Sequence, residues 1–509
     1  MKIFSTSQIR LLDQYTIEHE PIASIDLMER AAEGLYEEIK HLFPHKPKFV
    51  ILAGAGNNGG DGLALARLML SDGWGVQAVL FHNGNLSADC ETNKNRLAVR
   101  FPAAFSEQTD HFTALNIDKN TVIVDALFGS GLNRPLEGIF AETVRWINSV
   151  DNQTIAVDIP SGMHGEQTVK STDLVVKADA TLTLQFPKLG FFFAENEPFV
   201  GAWKVIDIQL HPKAIEKEST QWRFTEKSDI VPKLKKRSKF AHKGNFGHVC
   251  LMAGSKGMAG AAVLSASAAL RSGAGLVTVF GTEENRVILQ IAVPEAMYKT
   301  DLNNLENYSV FAFGPGIGTK NETKQILEDI LSRINSKLST NFPLGGWGAS
   351  ILDADALNII SQYPDFWNII PQNTIITPHP KEFERLFGTS ENSLERVRKA
   401  SAKAVERQIV IVLKGAYTAV CCPDGKVHFN STGNAGMATG GMGDVLTGII
   451  AGLLAQGYSA KDSALAGVYL HGLAADLALE TQSEESLLAR DVVENVGRAY
   501  HFLRAYYCK

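Results

Sequence analysis

Residues 431–457 read STGNAGMATGGMGDVLTGIIAGLLAQG, so Gly440, Gly441 and Gly443 stand just before Asp444 and an apolar, helix-length run. Backbone N–H groups of such a turn, backed by the positive end of a helix, form a hole for a phosphoryl group in transfer. Asp444 at its mouth is placed to take a proton from an attacking hydroxyl. A simple helix cap is the plainer role for this aspartate, but a cap leaves the glycines unexplained. Further upstream, KGAYT offers the Lys414 ammonium and the backbone and hydroxyl of Gly415, Ala416, Tyr417 and Thr418 to nucleotide phosphates. His379 lies between two prolines that fix its backbone; alone, such a histidine is more often structural. LDAD supplies Asp353 and Asp355, as magnesium-associated groups or helix caps. In this half no HxxxH or CxxC spacing marks a dedicated transition-metal site.

A second glycine loop lies in the first half. The run KFVILAG leads into GAGNNGGDG, where Gly54, Gly56 and Gly59 match G-x-G-x-x-G between a predicted strand and a predicted helix. A nicotinamide dehydrogenase would also place an acid at the end of the next strand. His82 and Asn83 stand there instead, so the loop is a ligand loop with a poor dehydrogenase fingerprint. Asp125 in TVIVDALFGSGLNRP and Asp158 in TIAVDIPSGMHG close two further predicted strands, the latter followed by Ser161 and Gly162. One strand-end aspartate is commonly a cap. Three polar strand ends beside flexible loops point to a ligand site at the carboxyl edge of a parallel sheet.

These residues need α/β scaffolds. In the first half, strand-length apolar runs near 50, 78, 124, 156 and 183 alternate with helical stretches, after two helices at the start. That pattern predicts a parallel sheet covered on both faces. The second half restarts with GHVCLMAGS and repeats the alternation, adding a hairpin at YTAVCCPDGKVHFN and two late helices. Between them, charge is scattered over 211–240, including KLKKRSK, which reads as a solvated linker, with a domain boundary near 215–225.

The 509 residues allow two or three domains. With 49 basic and 55 acidic residues the net charge is −6, which gives no global attraction to nucleic acid or anionic membrane. The start lacks a secretory h-region, and no apolar run reaches membrane-spanning length. Five cysteines without a CxxC (Cys90, Cys250, Cys421, Cys422 and Cys508) fit a reducing compartment, so a cytoplasmic protein is expected.

LMERA (27–31), NNGGDGLALAR (57–67), DALFGSGLNRP (125–135), VDIPSG (157–162) and TLQFPKLG (183–190) resemble the NAD(P)H-hydrate epimerase domain. HKGNFGHVCLMAGSKGMAGAAVLSASAALRSGAG (242–275), GPGIG (314–318), LDADALN (352–358), TPHPKE (377–382), KGAYT and GMGDVLTGIIAGLLAQG resemble the ribokinase-like ADP- or ATP-dependent NAD(P)H-hydrate dehydratase. The resemblance implies a Rossmann-like doubly wound domain over 1–215 and a ribokinase-like α/β domain over 225–509. It implies epimerase substrate contacts at Asn57, Asn58, Gly59, Gly60 and Asp61, at Gly129, Ser130, Gly131, Leu132, Asn133, Arg134 and Pro135, and at Asp158, which is also the expected acid/base. A potassium ion at Asn58, Asp125 and Ser161 is implied too. For the dehydratase it implies substrate contacts at Ala261, Gly316, His379 and Asp444, and nucleotide contacts at Lys414 through Thr418 and Gly443, with Mg2+ accompanying ADP or ATP. A homo-oligomer acting on hydrated nicotinamide cofactors is expected. The competing reading is a ribokinase-like kinase for a small vitamin precursor, fused to a nucleotide-binding module.

Overall fold

The computed structural model describes residues 1–132, 134–301, 303–338 and 349–505. The chain divides into two compact units, Lys2–Trp222 with Asn392–Leu394, and Arg223–Glu391 with Glu395–Lys509 and Met1.

The first unit is built on seven parallel strands: β1 (Phe49–Ala53), β2 (Val76–Phe81), β3 (Phe105–Gln108), β4 (Val122–Ala126), β5 (Thr154–Val157), β6 (Ala180–Leu184) and β7 (Ala202–Ile206). Their order is β3-β2-β1-β4-β5-β6-β7. Strands β1, β4 and β5 are buried at every position because both faces are covered. Phe49, Ile51 and Ala53 pack into one core layer with Leu35 and Leu63, whereas Val50 and Leu52 pack into the other with Val144 and Ile147. The helices that matter here are α1 (Thr6–His19), closed by a Ser5/Gln8 capping box, α2 (Ser24–Leu42) and α3 (Asn57–Ser71). Strand order reverses between β1 and β4, which opens a crevice at their carboxyl ends.

The second unit carries a ten-stranded sheet in the order β11-β10-β9-β12-β13-β14-β15-β16-β17-β8. These strands are β8 (Trp222–Thr225), β9 (His248–Met252), β10 (Leu276–Phe280), β11 (Met297–Lys299), β12 (Val310–Phe313), β13 (Ala349–Leu352), β14 (Ile375–Ile376), β15 (Val410–Leu413), β16 (Ala419–Cys421) and β17 (Val427–Asn430). The run from β11 to β15 is parallel, and β16 and β17 form the expected antiparallel hairpin. Helix Met442–Ala455 is apolar and almost wholly buried. Its glycines let it approach helix Ala259–Arg271 closely: a Cβ on Gly448 would lie 2.2 Å from Ser265 O. No described helix is long and apolar enough to cross a membrane.

Three expectations need correction. Strands β3, β7, β8 and β11 were not expected; all lie at or beside sheet edges, where only one side chain in two or fewer is buried. A third long helix, Ala489–Arg504, joins Met442–Ala455 and Ala460–Ala478 late in the chain. KLKKRSK is solvent-exposed from Lys235 to Lys239, as expected, but it is tied to the second unit and is not a free tether. Lys233 pairs with Asp462 at 2.6 Å, Lys235 Nζ donates to the carbonyls of Gln456 and Gly457 at 3.0 and 2.7 Å, and Arg237 donates to Gly273 O at 2.5 Å. Cys90, Cys250, Cys421 and Cys422 are free and buried; Cys508 lies outside the described residues.

Candidate functional sites

In the first unit, the loops after β1, β4 and β5 converge. Two of the three loop glycines are dictated by protein packing. A Cβ on Gly54 would lie 1.9 Å from Leu127 O, and one on Gly59 would lie 1.7 Å from Gly54 O. Only Gly56 faces open space, which leaves it as the position where a ligand can approach the backbone. Asp125 is fully buried and accepts from Ser161 N at 2.8 Å, Ser161 Oγ at 2.6 Å and Leu127 N at 3.2 Å. Asn58 flanks Gly129, and its buried Nδ2 has no hydrogen-bond partner. Burial pushes the Asp125 carboxyl up to about 6, and among the described residues no cation pairs with it.

Asp158 holds a left-handed backbone, φ +65°, a strained setting for a residue with a Cβ. That twist delivers its carboxylate to Lys188 Nζ at 2.6 Å, with Ser130 N and Leu184 N each at 3.3 Å. Lys188 is itself buried and also donates to Thr183 Oγ1 and Phe186 O. Leu132 O accepts from His164 Nδ1, Arg134 and Pro135 are exposed, and Asn133 lies outside the described residues. Asp61 is buried and its carboxyl is pushed well above the usual range, by burial first and then by Asp158 and Asp13.

In the second unit, Lys414 at the end of β15 places its ammonium 3.0 Å from Asp353 Oδ1 and 3.8 Å from Glu382 Oε2. Thr447, one turn into helix Met442–Ala455, donates to Asp353 Oδ2 at 2.9 Å. The Lys414 charge therefore points inward at carboxylates, and a Cβ on Gly443 would lie 3.5 Å from its nitrogen. Asp444 makes no capping bond, since the cap position is Gly441 with φ +91°. Burial, then the charge of Asp353, raises the Asp444 carboxyl to about 6. Asp355 also acts on it, and receives Gly318 N at 2.8 Å, tying the GPGIG turn to this cluster. Gly316, φ +62°, lies against Ala261. His379 caps helix Pro380–Phe387: its Nδ1 accepts from Lys381 N and Glu382 N at 3.1 and 3.3 Å, which leaves the proton on Nε2. Thr418 Oγ1 closes the Gly415 turn at 3.0 Å.

A family model described as NAD(P)H-hydrate dehydratase matches residues 249–498, and one described as YjeF-related protein N-terminus matches 24–190. The bifunctional NAD(P)H-hydrate repair enzyme of Coxiella burnetii is 34% identical, covering 96% of this chain and 97% of that one. The Escherichia coli enzyme of the same name is 33% identical, over 93% and 89%. The chain belongs to the bifunctional NAD(P)H-hydrate repair enzyme family. An ADP/ATP-dependent NAD(P)H-hydrate dehydratase of Bacillus subtilis, co-crystallized with ATP/Mg2+, is 33% identical over 55% of this chain and 98% of that one, with a TM-score of 0.48. Membership across both units sets aside the vitamin-precursor kinase. As a repair enzyme the chain joins an epimerase unit to an NAD(P)H-hydrate dehydratase unit. Sequence reasoning left Lys188, Thr447 and Glu382 without roles, although Lys188 and Glu382 lie inside the quoted motifs TLQFPKLG and TPHPKE.

Proposed function

We propose that the second unit phosphorylates the hydroxyl of the S epimer of NADHX or NADPHX, and that loss of phosphate then restores NADH or NADPH. Hydroxide leaves poorly and phosphate well, which is why a nucleotide is consumed. The observation that carries this reading is Asp444, poised near neutrality at the start of a buried helix whose glycine turn leaves its first N–H groups open. Asp444 accepts the hydroxyl proton as oxygen attacks the terminal phosphorus. Gly443 and the turn stabilise the charge on the transferring group. Lys414, Gly415, Ala416, Tyr417 and Thr418 contact the nucleotide, while Ala261, Gly316 and His379 contact the dinucleotide. Among the described residues no group of three or more His, Cys, Asp or Glu side chains could hold a metal ion; Mg2+ accompanying ADP or ATP would be held chiefly by the nucleotide phosphates and would neutralise their charge.

In the first unit, Asn57 to Asp61 and Gly129 to Pro135 hold the substrate, and Asp158, with Lys188, transfers protons during R/S interconversion. Asn58, Asp125 and Ser161 offer an oxygen-only donor set to K+, and the buried, cation-free Asp125 carboxylate fits a monovalent ion. The ion's chemistry there is to fix the loops around one charge. The exposed Val287, Ile288, Ile291 and Met297 beside the β11 edge support a homo-oligomer, and the reduced cysteines support a cytoplasmic one. The test is NADH absorbance on mixed NADHX epimers with and without ADP or ATP. Full conversion with nucleotide and none without is expected; no NADH from either epimer refutes the reading.

A further inference from the structure

The opening helix lies over the epimerase crevice by one face. Thr6, Arg10 and Asp13 recur at i, i+4 and i+7, the spacing of a single helical face. Thr6 Oγ1 donates to Ser130 O at 3.2 Å, and Thr6 N donates to Glu166 Oε1 at 2.7 Å. Arg10 meets the same loop: a Cβ on Gly131 would fall 2.4 Å from its Nη2. Ser130 in turn donates to Asp158. The third residue of the face, Asp13, brings in a carboxyl whose Oδ1 is enclosed and has no hydrogen-bond partner.

Three carboxyl groups, Asp13 from α1, Asp61 from α3 and Asp158 from the loop after β5, thus act on one another, and the Lys188 ammonium pairs with Asp158 and acts on Asp13. Asp158 holds that ammonium and two backbone donors, so its lone pairs are largely engaged. Asp13 has an oxygen to spare. Resting on the epimerase reading above, we infer that Asp13 is the base that removes the hydroxyl proton of the hydrated cofactor, opposite the Asp158–Lys188 pair. The reacting carbon bears a hydroxyl and the ring nitrogen. Asp13 takes the O–H proton, the O–H electron pair forms C=O, and the C–N bond breaks with its pair going to nitrogen. Lys188 supplies the proton that nitrogen takes up. Rotation about the freed carbon and the reverse sequence on its other face give the opposite epimer, with both protons returned. Burial first, then Asp158, raises the Asp13 carboxyl to about 6, against a smaller lowering effect of Lys188. That suits a base working near neutrality.

The test starts from pure R-NADHX and follows NADH formation with excess ADP or ATP, with pure S-NADHX as the control for the second unit. Asp13→Asn should lower kcat for the R epimer on the order of 10²–10⁴-fold, leave KM within threefold, and erase the loss of rate that wild type shows on the R epimer beyond that on the S epimer as pH falls through about 6. Rate on the S epimer should not change. An Asp13→Asn rate on R within threefold of wild type, or an unchanged acid limb, overturns the inference. If Asp13→Asn proves unstable, Asp13→Glu decides: a working enzyme with a displaced acid limb supports the base, and an undisplaced limb refutes it. Asp158→Asn is run in parallel. If it keeps full activity while Asp13→Asn loses it, the role given to Asp158 fails and that of Asp13 stands. Wild-type protein unable to use R-NADHX would refute the epimerase reading itself.

Discussion

Lys414 Nζ stands 3.0 Å from Asp353 Oδ1, and the same carboxylate is held on its other oxygen by Thr447. One buried anion therefore joins the ends of β13 and β15 to the helix beneath the glycine turn. Lys414→Met would strand Asp353, only 1% exposed, without its cation. Breaking such a pair costs about 3–5 kcal/mol, measurable by denaturant unfolding of the second unit. The double variant Lys414→Met/Asp353→Leu should recover much of the stability and none of the dehydration.

Asp444→Asn should nearly abolish nucleotide-dependent NADH formation from S-NADHX, on the order of 10²–10⁴-fold, with nucleotide binding retained. Turnover above about a tenth of wild type would contradict the base assignment. In the wild type, the rate should rise with pH through about 6 as the carboxyl ionises. Stability should run the other way. A folded-state value raised from 3.8 to about 6 gives a stabilising contribution that is complete below 3.8 and lost as pH rises through about 6. Asp444→Asn should therefore melt higher than wild type at pH 8, and the difference should close at pH 4.

The three loop glycines should separate by role. Gly54→Ala and Gly59→Ala force a Cβ into carbonyl oxygens and should unfold or strongly destabilise the first unit. Gly56→Ala meets open space, so its melting temperature should match wild type while KM for epimerisation rises. Thermal scans beside R-NADHX kinetics check both.

Epimerisation should depend on potassium. Comparing K+, Na+ and a large organic cation at equal ionic strength, K+ should give the fastest R-to-S conversion, and Asp125→Ala should remove the distinction. Equal rates in all three would exclude a functional ion at Asn58, Asp125 and Ser161. Dehydration of S-NADHX by Asp125→Ala should be unchanged.

The strand-end aspartates and the first glycine loop were legible because each follows an unbroken apolar run, and chain connectivity alone puts them at one edge of a parallel sheet; the second glycine turn was legible because an apolar helix follows it. Asp13 was not. It lies 36 residues before β1 in an ordinary polar helix. Only docking reveals that the face of Thr6, Arg10 and Asp13 meets Ser130 and Gly131. Lys188 was hidden for another reason, since a lysine beside a proline reads as solvated until Asp158 is found 2.6 Å away. Strands β3 and β7 escaped notice because edge positions need no continuous apolar pattern.

The boundary shows the same limit. Strand β8 begins at Trp222, so a fragment starting at residue 225 lacks most of an edge strand. Starting at 221 should yield a second unit more stable to urea than one starting at 226, and active on S-NADHX.

Helix Met442–Ala455 starts at the glycine turn proposed to receive the phosphoryl group, and at its other end Lys235 binds the carbonyls of Gln456 and Gly457 while stacking its ammonium over Tyr458. Fourteen residues make a rod of about 21 Å, with the proposed phosphoryl site at its head and a clamp at its foot. Positive charge at the foot of a helix offsets the negative pole that would otherwise oppose the positive pole at the head. The exposed basic stretch at the start of the second unit thus acts as a counterweight: in the proposed reaction it would hold the rod against sliding or fraying while the charge on the phosphoryl group changes at the far end.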